Sequence, residues 1–238
     1  MTRLESLNVK IFADGADPSA MLEMYSKPYI KGFTTNPTLM RRAGISNYKA
    51  FATEILARIR DRPVSFEVFS DELSGMERQA LEIADWANNV YVKIPVTNTK
   101  GEPTYNVVRR LASRGVKVNV TALMTLPQVR EAVSALNPEV AGYISVCAGR
   151  IADTGVDPLP LMAAAVHLLA TNPKAELIWA SPRELLNIFH AERIGCHVIT
   201  VTHDILGKLA LIGRDLEEYS LDTVKMFRSD AVAAGFSL

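Results

Sequence analysis

The chain is poor in the residues that staple a protein or hold a metal. It has two cysteines, Cys147 and Cys196, and four histidines in 238 residues. Two cysteines make no disulfide framework. Neither they nor His167, His190, His197 and His203 fall at metal-ligand spacing, so no metal and no cofactor is expected. An excess of either charge is also lacking, with 26 Lys and Arg against 26 Asp and Glu. That balance gives no reason to expect nucleic acid or an anionic membrane as a partner. No apolar run approaches a membrane span, and Met1-Thr2-Arg3-Leu4-Glu5 lacks the apolar segment of a leader, so a cytoplasmic location is expected. Linker-like and low-complexity stretches are missing, and residues 1–238 read as one domain. No Gly-x-Gly-x-x-Gly follows the first predicted strand, which argues against a dinucleotide fold.

The composition, 48% hydrophobic and 22% charged, supplies a large core. Short apolar runs alternate with helical patterns along the whole chain. Strands are predicted at Val9–Ala13, Gly32–Thr35, Val64–Phe69, Asn89–Thr97, Val116–Val120, Val140–Val146, Glu176–Ala180 and Val198–Val201. Asp17-Pro18 reads as a helix start, Ser46 as the cap of a helix over Asn47–Arg60, and Gly115 and Gly195 as helix ends. Further helices are predicted over Leu73–Ala87, Asn106–Ser113, Leu126–Leu136, Pro158–Ala170, Glu184–Arg193, Leu206–Ile212 and Leu221–Ala234. Alternating strands and helices imply parallel pairing. Eight such units in this length predict an α/β fold, a single (β/α)8 barrel with an additional C-terminal helix. A doubly wound open sheet is the alternative.

The central stretch is Asn89-Val90-Tyr91-Val92-Lys93-Ile94-Pro95. Strand side chains alternate faces, so Val90, Val92 and Ile94 point one way and Tyr91 and Lys93 the other. A lysine on a core strand is costly unless it is paired, reaches water, or has chemistry to do. It reads either as an ion-paired structural residue, with Glu67 as partner, or as a buried amine that forms Schiff bases. The same parity sets Val64, Phe66 and Val68 against Ser65 and Glu67, and Val118 and Val120 against Asn119 and Thr121. It sets Ile144 and Val146 against Tyr143, Ser145 and Cys147, Ile178 and Ala180 against Ser181, and Ile11 and Ala13 against Asp14. In a barrel, active sites gather at the C-terminal ends of strands. Asp14, Asn36, Glu67, Lys93, Asn119, Thr121, Ser145 and Ser181 are therefore expected at one mouth, although any one strand-end Asn or Ser alone reads as a turn or cap residue. Ser181 is expected to cap a helix beginning at Pro182, whose free N–H groups suit a phosphate, with Arg183 in its first turn. A surface salt bridge is the other reading of Arg183, and of Arg150.

These residues fall into motifs. Thr34-Thr35-Asn36-Pro37-Thr38-Leu39, Val92-Lys93-Ile94-Pro95, Asn119-Val120-Thr121 and Ala180-Ser181-Pro182-Arg183 resemble, in order, the signatures of the transaldolase family. The length resembles its short branch, which includes the fructose-6-phosphate aldolases. The resemblance implies that Lys93 forms a Schiff base with a ketose and that Asp14 is the general base and acid at the C4 hydroxyl. It implies that Glu67 and Thr121 hold the water that shuttles protons, and that Asn36, Asn119 and Ser145 bind the dihydroxyacetone hydroxyls. Arg150 and Arg183, with Ser181, would bind phosphate. A lysine amine is protonated at neutral pH, and burial disfavours that charge. The partners implied are small sugar phosphates, and a homo-oligomer assembled through the terminal helix is expected. Pentose phosphate metabolism and specialised sugar biosynthesis both fit.

Some positions depart from the family pattern. Val146 and Cys147 stand where transaldolases carry Pro and Phe, and the aldolase branch has Tyr at the latter position. Pro182 replaces an aromatic residue. Glu67 matches transaldolases rather than the glutamine of the aldolase branch. The expectation is therefore transfer of a dihydroxyacetone unit. Release of free dihydroxyacetone, and a non-catalytic sugar-phosphate-binding barrel, are the alternatives.

Overall fold

A computed structural model describes residues 4–237; the segment Met1–Arg3, read above for a leader, lies outside the described residues. Eight parallel strands close into a barrel in sequence order: β1 Lys10–Asp14, β2 Ile30–Thr34, β3 Val64–Glu67, β4 Val90–Pro95, β5 Val118–Leu123, β6 Gly142–Val146, β7 Ala175–Trp179 and β8 Val198–Thr202. β1 closes the ring on β8, with Lys10 opposite Val198 and Asp14 opposite Thr202. The expected (β/α)8 barrel is the observed fold, and no open edge is left.

Helices α1 Pro18–Tyr25, α2 Pro37–Arg42, α3 Tyr48–Arg58, α4 Leu73–Ala84, α5 Tyr105–Ser113, α6 Leu126–Ala135, α7 Ala148–Asp153, α8 Leu159–Leu169, α9 Leu186–Arg193 and α10 His203–Leu206 surround the barrel, and α11 Leu216–Ala233 follows them. Their starts follow local chemistry. Asp17 accepts from the Ala20 N–H with Pro18 at the first helical position, and Thr125 and Gln128 form a capping box on α6. Gly115 and Gly195 end α5 and α9 with φ of 81° and 72°, a left-handed conformation that favours glycine.

The helix-facing set of each strand joins one apolar shell. Phe33, Phe66 and Trp179 are essentially solvent-free there, each worth about 1.5–3 kcal/mol of transfer free energy. A smaller cluster of Phe12, Tyr143, Ile178 and Val198, with Tyr91 against it, fills the barrel interior.

Several predicted details are corrected. Ile178 and Ala180 were expected to face the helices. Instead Leu177 and Trp179 face them, Ile178 lies inside the barrel, and Ala180 borders the interior cavity described below. No helix begins at Pro182, and Ser181 caps nothing: it has φ 58°, and α9 starts only at Leu186. The Asn187 side chain meets the N–H groups of Arg183 and Glu184, which holds the intervening turn open. Asn47, not Ser46, caps α3, accepting from the Ala50 N–H at 2.9 Å. The helices α2 and α7 were not predicted. α11 stands apart from the shell, with none of its residues buried. His197 serves the backbone, its Nδ1 accepting from the Leu177 N–H at 3.0 Å.

Candidate active site

The C-terminal ends of the strands surround a cavity of about 300 Å³. Lys93 enters it from β4, only 7% exposed. Its register partner on β3 is Glu67, and strand alternation sends both side chains inward. The Lys93 Nζ lies 3.2 Å from the Glu67 Oε2 and donates to the Thr35 carbonyl oxygen at 2.8 Å. The amine is thus paired and desolvated together.

Glu67 is itself fixed. The Tyr48 hydroxyl accepts from the Glu67 N–H and donates to the Glu67 carbonyl oxygen, both at 2.8 Å. Burial raises the Tyr48 pKa, which keeps that hydroxyl a neutral donor.

Asp14 ends β1 and borders the same cavity. Its Oδ1 accepts from the Thr34 hydroxyl at 2.7 Å. Thr34 has one proton to give, so Thr200 is the donor in the short Thr200–Thr34 contact. Burial pushes the Asp14 carboxyl above its usual range. The Lys93 charge and the Thr34 hydrogen bond pull it down less strongly, and Glu67 adds to the rise. Two carboxylates in one small cavity are thereby given different surroundings: Glu67 against the amine, Asp14 against hydroxyls.

Behind this layer the Ser145 hydroxyl donates to the Asn119 Oδ1 at 2.7 Å, and the Asn119 Nδ2 donates to the Ser65 hydroxyl at 3.1 Å. Asn119 is wholly buried, and Ser145 rather than Asn119 forms the wall. Asn36 borders the cavity but its Oδ1 caps α2, accepting from the Leu39 N–H at 3.0 Å, so its Nδ2 is the group left for a ligand. Thr121, Cys147, Arg150 and Ser181 complete the predicted set on the walls. Burial raises the Cys147 pKa, with the Arg150 and Lys93 charges opposing it less strongly.

Arg183 does not border the cavity. Its guanidinium makes a two-pronged pair with the Asp153 carboxylate, with Nε to Oδ1 at 2.7 Å and Nη2 to Oδ2, and Nη1 donates to the Ser181 carbonyl oxygen at 3.1 Å. Between Arg150 and Ser181 the backbones cross closely. A Cβ at Gly149 would lie 1.5 Å from the Ser181 carbonyl oxygen, so only glycine fits there. Ala122 joins Ser181 in lining the cavity with positive φ, at 63° and 58°.

The structure therefore brings together Lys93, Asp14, Glu67, Thr121, Asn36, Ser145, Arg150 and Ser181, places Asn119 one layer behind, and ties Arg183 to Asp153. Thr34, Thr200 and Tyr48 were missed as site residues. The parity of β8 could have revealed Thr200, the polar residue set against Ile199 and Val201.

Comparison with known proteins follows the same lines. The family model described as Transaldolase/Fructose-6-phosphate aldolase matches residues 11–238. A protein named "Probable transaldolase" from Methanococcus maripaludis (strain C7) is 33% identical over 202 residues, covering 84% of this chain and 89% of its own. One of the same name from a Thermoanaerobacter species (strain X514) is 31% identical over 231 residues, covering 97% of this chain and 100% of its own. A third, from Streptococcus agalactiae serotype V, is 35% identical over 194 residues, covering 81% and 86%. A crystal structure described as a "putative phosphonomutase" from Burkholderia cenocepacia J2315 superposes with a TM-score of 0.54 at 15% identity, covering 94% of this chain and 96% of its own, a likeness of fold alone.

Proposed function

The chain belongs to the transaldolase/fructose-6-phosphate aldolase family, and on that premise we propose that it transfers a dihydroxyacetone unit from a ketose phosphate to an aldose phosphate through a Schiff base on Lys93. The observation that carries this reading is the buried Lys93 amine, 3.2 Å from one carboxylate and sharing its cavity with a second.

In this reading the ammonium proton passes to Glu67 and the free amine attacks the ketose C2 carbonyl carbon. The carbinolamine loses its oxygen as water, with Glu67 and Thr121 holding the water that carries protons, and an iminium forms. Asp14 takes the C4 hydroxyl proton, the C3–C4 bond breaks, and its electron pair enters the iminium to give an enamine and a free aldose. The enamine carbon then attacks the acceptor aldehyde, Asp14 returns its proton to the new hydroxyl, and hydrolysis frees Lys93. Thr34 and Thr200 orient Asp14. Ser145, positioned by Asn119, and the Asn36 Nδ2 bind the substrate hydroxyls. Arg150, with Ser181, binds phosphate. Arg183 supports that end through Asp153 and the Ser181 carbonyl, and reaches phosphate only if that pair opens.

The test is consumption of fructose 6-phosphate with and without an aldose phosphate acceptor. Transfer requires the acceptor. Free dihydroxyacetone formed at the same rate without it would replace transfer by simple aldol cleavage, the other activity named in the family's description. We also propose that the enzyme acts in the cytoplasm as a homo-oligomer in which α11, with Leu221, Val224 and Phe227 each more than half exposed, packs on a second copy. Light scattering on the full chain and on one with Val224→Glu and Phe227→Glu tests the assembly.

A further inference from the structure

The barrel is hollow at both ends. A second cavity, of about 600 Å³, opens between the N-terminal ends of the strands, on the face opposite Lys93. Phe12, Tyr91 and Tyr143 separate the two. They stand two residues before Asp14, Lys93 and Ser145 on β1, β4 and β6, and so one inward step lower in the barrel. Tyr91 and Tyr143 stack with centroids 4.3 Å apart, and Phe12 meets Tyr143 edge-on at 5.7 Å. That floor closes the lower cavity against the catalytic one.

The rim is cationic on a chain with no net charge. Lys10, Lys31, Arg60 and Lys117 surround the opening, against Asp61 and Glu176. Glu176 is engaged by Lys10 at 2.7 Å. Asp61 accepts from the Tyr25 hydroxyl at 2.6 Å, and that bond holds its carboxyl below the usual range. Lys31, Arg60 and Lys117 are left without an ion pair among the described residues. They donate instead to the carbonyl oxygens of Pro28, Ala57 and Asn88, at 2.7, 2.9 and 2.6 Å. Asp61 keeps its negative charge, so four cations against two carboxylates leave a net charge of +2 around one concave opening, which concentrates positive potential where a small anion can enter. A cavity of this size is in the range that takes small molecules.

We propose that the N-terminal mouth of the barrel is a second ligand site, built for adjacent phosphate groups and held by Lys31, Arg60 and Lys117. Two sources carry that chemistry, inorganic pyrophosphate and a nucleoside triphosphate, and both serve as probes. Arg60 takes a phosphate edge with its planar donors, and the two ammonium groups act as point charges. The site is independent of the reaction assigned to the other mouth.

The experiment is calorimetric titration of the full chain at low ionic strength with pyrophosphate and, separately, ATP. The same titrations are run on Lys31→Gln/Lys117→Gln and on Arg150→Ala, which weakens anion binding at the catalytic mouth. Arg150→Ala binds both probes at one per chain, with the affinity that wild type shows for this mouth. The double variant binds roughly tenfold or more weakly, and added salt weakens binding throughout. The single Lys31→Gln, on an exposed side chain, moves the affinity in the same direction by less. Any of four results overturns the proposal: no binding by wild type, equal binding by the double variant, binding abolished by Arg150→Ala, or binding of ATP without pyrophosphate.

Discussion

Lys93 and Glu67 face each other across β4 and β3, direct register partners whose charged atoms meet 3.2 Å apart inside the barrel. A carboxylate so placed offsets the lysine's charge, and in the proposed mechanism it receives the amine's proton. Glu67→Gln keeps the shape and the Tyr48 clamp on the backbone but removes the proton acceptor. We expect kcat to fall by about 10²–10³, with the rate of imine formation on Lys93 falling in parallel and KM changing little. Stopped-flow and steady-state kinetics check this; an unchanged imine rate would remove Glu67 from proton transfer.

Asp14 predicts a trade between stability and activity. Its folded-state pKa is raised, first by burial. The folded chain therefore holds the proton more tightly than the unfolded one. Ionisation costs stability above the folded value, and that stability returns as the pH falls through it. Asp14→Asn removes the cost while its amide oxygen still accepts from Thr34. At neutral pH the variant should be more stable by on the order of 1 kcal/mol, or about 2–4 °C in Tm, and the gain should vanish as the pH falls into the ordinary carboxylate range. Its activity should be lower by about 10²–10⁴. Thermal melts across pH, beside kcat, decide it; a gain that grows toward acid pH has the wrong sign.

The two arginines should separate. Arg150 borders the cavity, whereas Arg183 is held by Asp153 and the Ser181 carbonyl. Arg150→Ala should raise KM for a phosphorylated donor by about 10–100-fold, the loss expected for a charged hydrogen bond, and leave an unphosphorylated ketose unaffected. Arg183→Ala should raise it less. Equal losses would mean that the Arg183–Asp153 pair opens when substrate binds.

Much of this arrangement was legible along the chain because strand alternation is strict. Val90, Val92 and Ile94 are apolar and opposed by Lys93, so the lysine could only point inward. β7 failed the same reasoning because Leu177, Ile178 and Trp179 are all apolar and period two gives no sign of which faces in. The turn at Ser181 was misread because its backbone lies against Gly149, thirty-two residues earlier, whose missing side chain lets the two segments cross. The Arg183–Asp153 pair is equally non-local. α2 and α7 are six residues each, too short to show a helical period, and follow strand ends directly. The lower cavity was invisible in the sequence because its cations come from separate strands and loops.

Gly149→Ala tests that crossing. The added methyl meets the Ser181 carbonyl oxygen, and one backbone must shift. We expect a loss of about 1–3 kcal/mol of stability by urea denaturation, together with a higher KM for phosphorylated substrates because Arg150 and Ser181 move apart. Wild-type stability with an altered KM would show that the Ser181 turn yields freely.

The most direct measurement is borohydride reduction in the presence of fructose 6-phosphate, followed by intact mass and peptide mapping. One reduced adduct per chain is expected, on Lys93, and none on Lys93→Ala. An unmodified wild type, or an adduct that persists when Lys93 is gone, would contradict a Schiff base on Lys93.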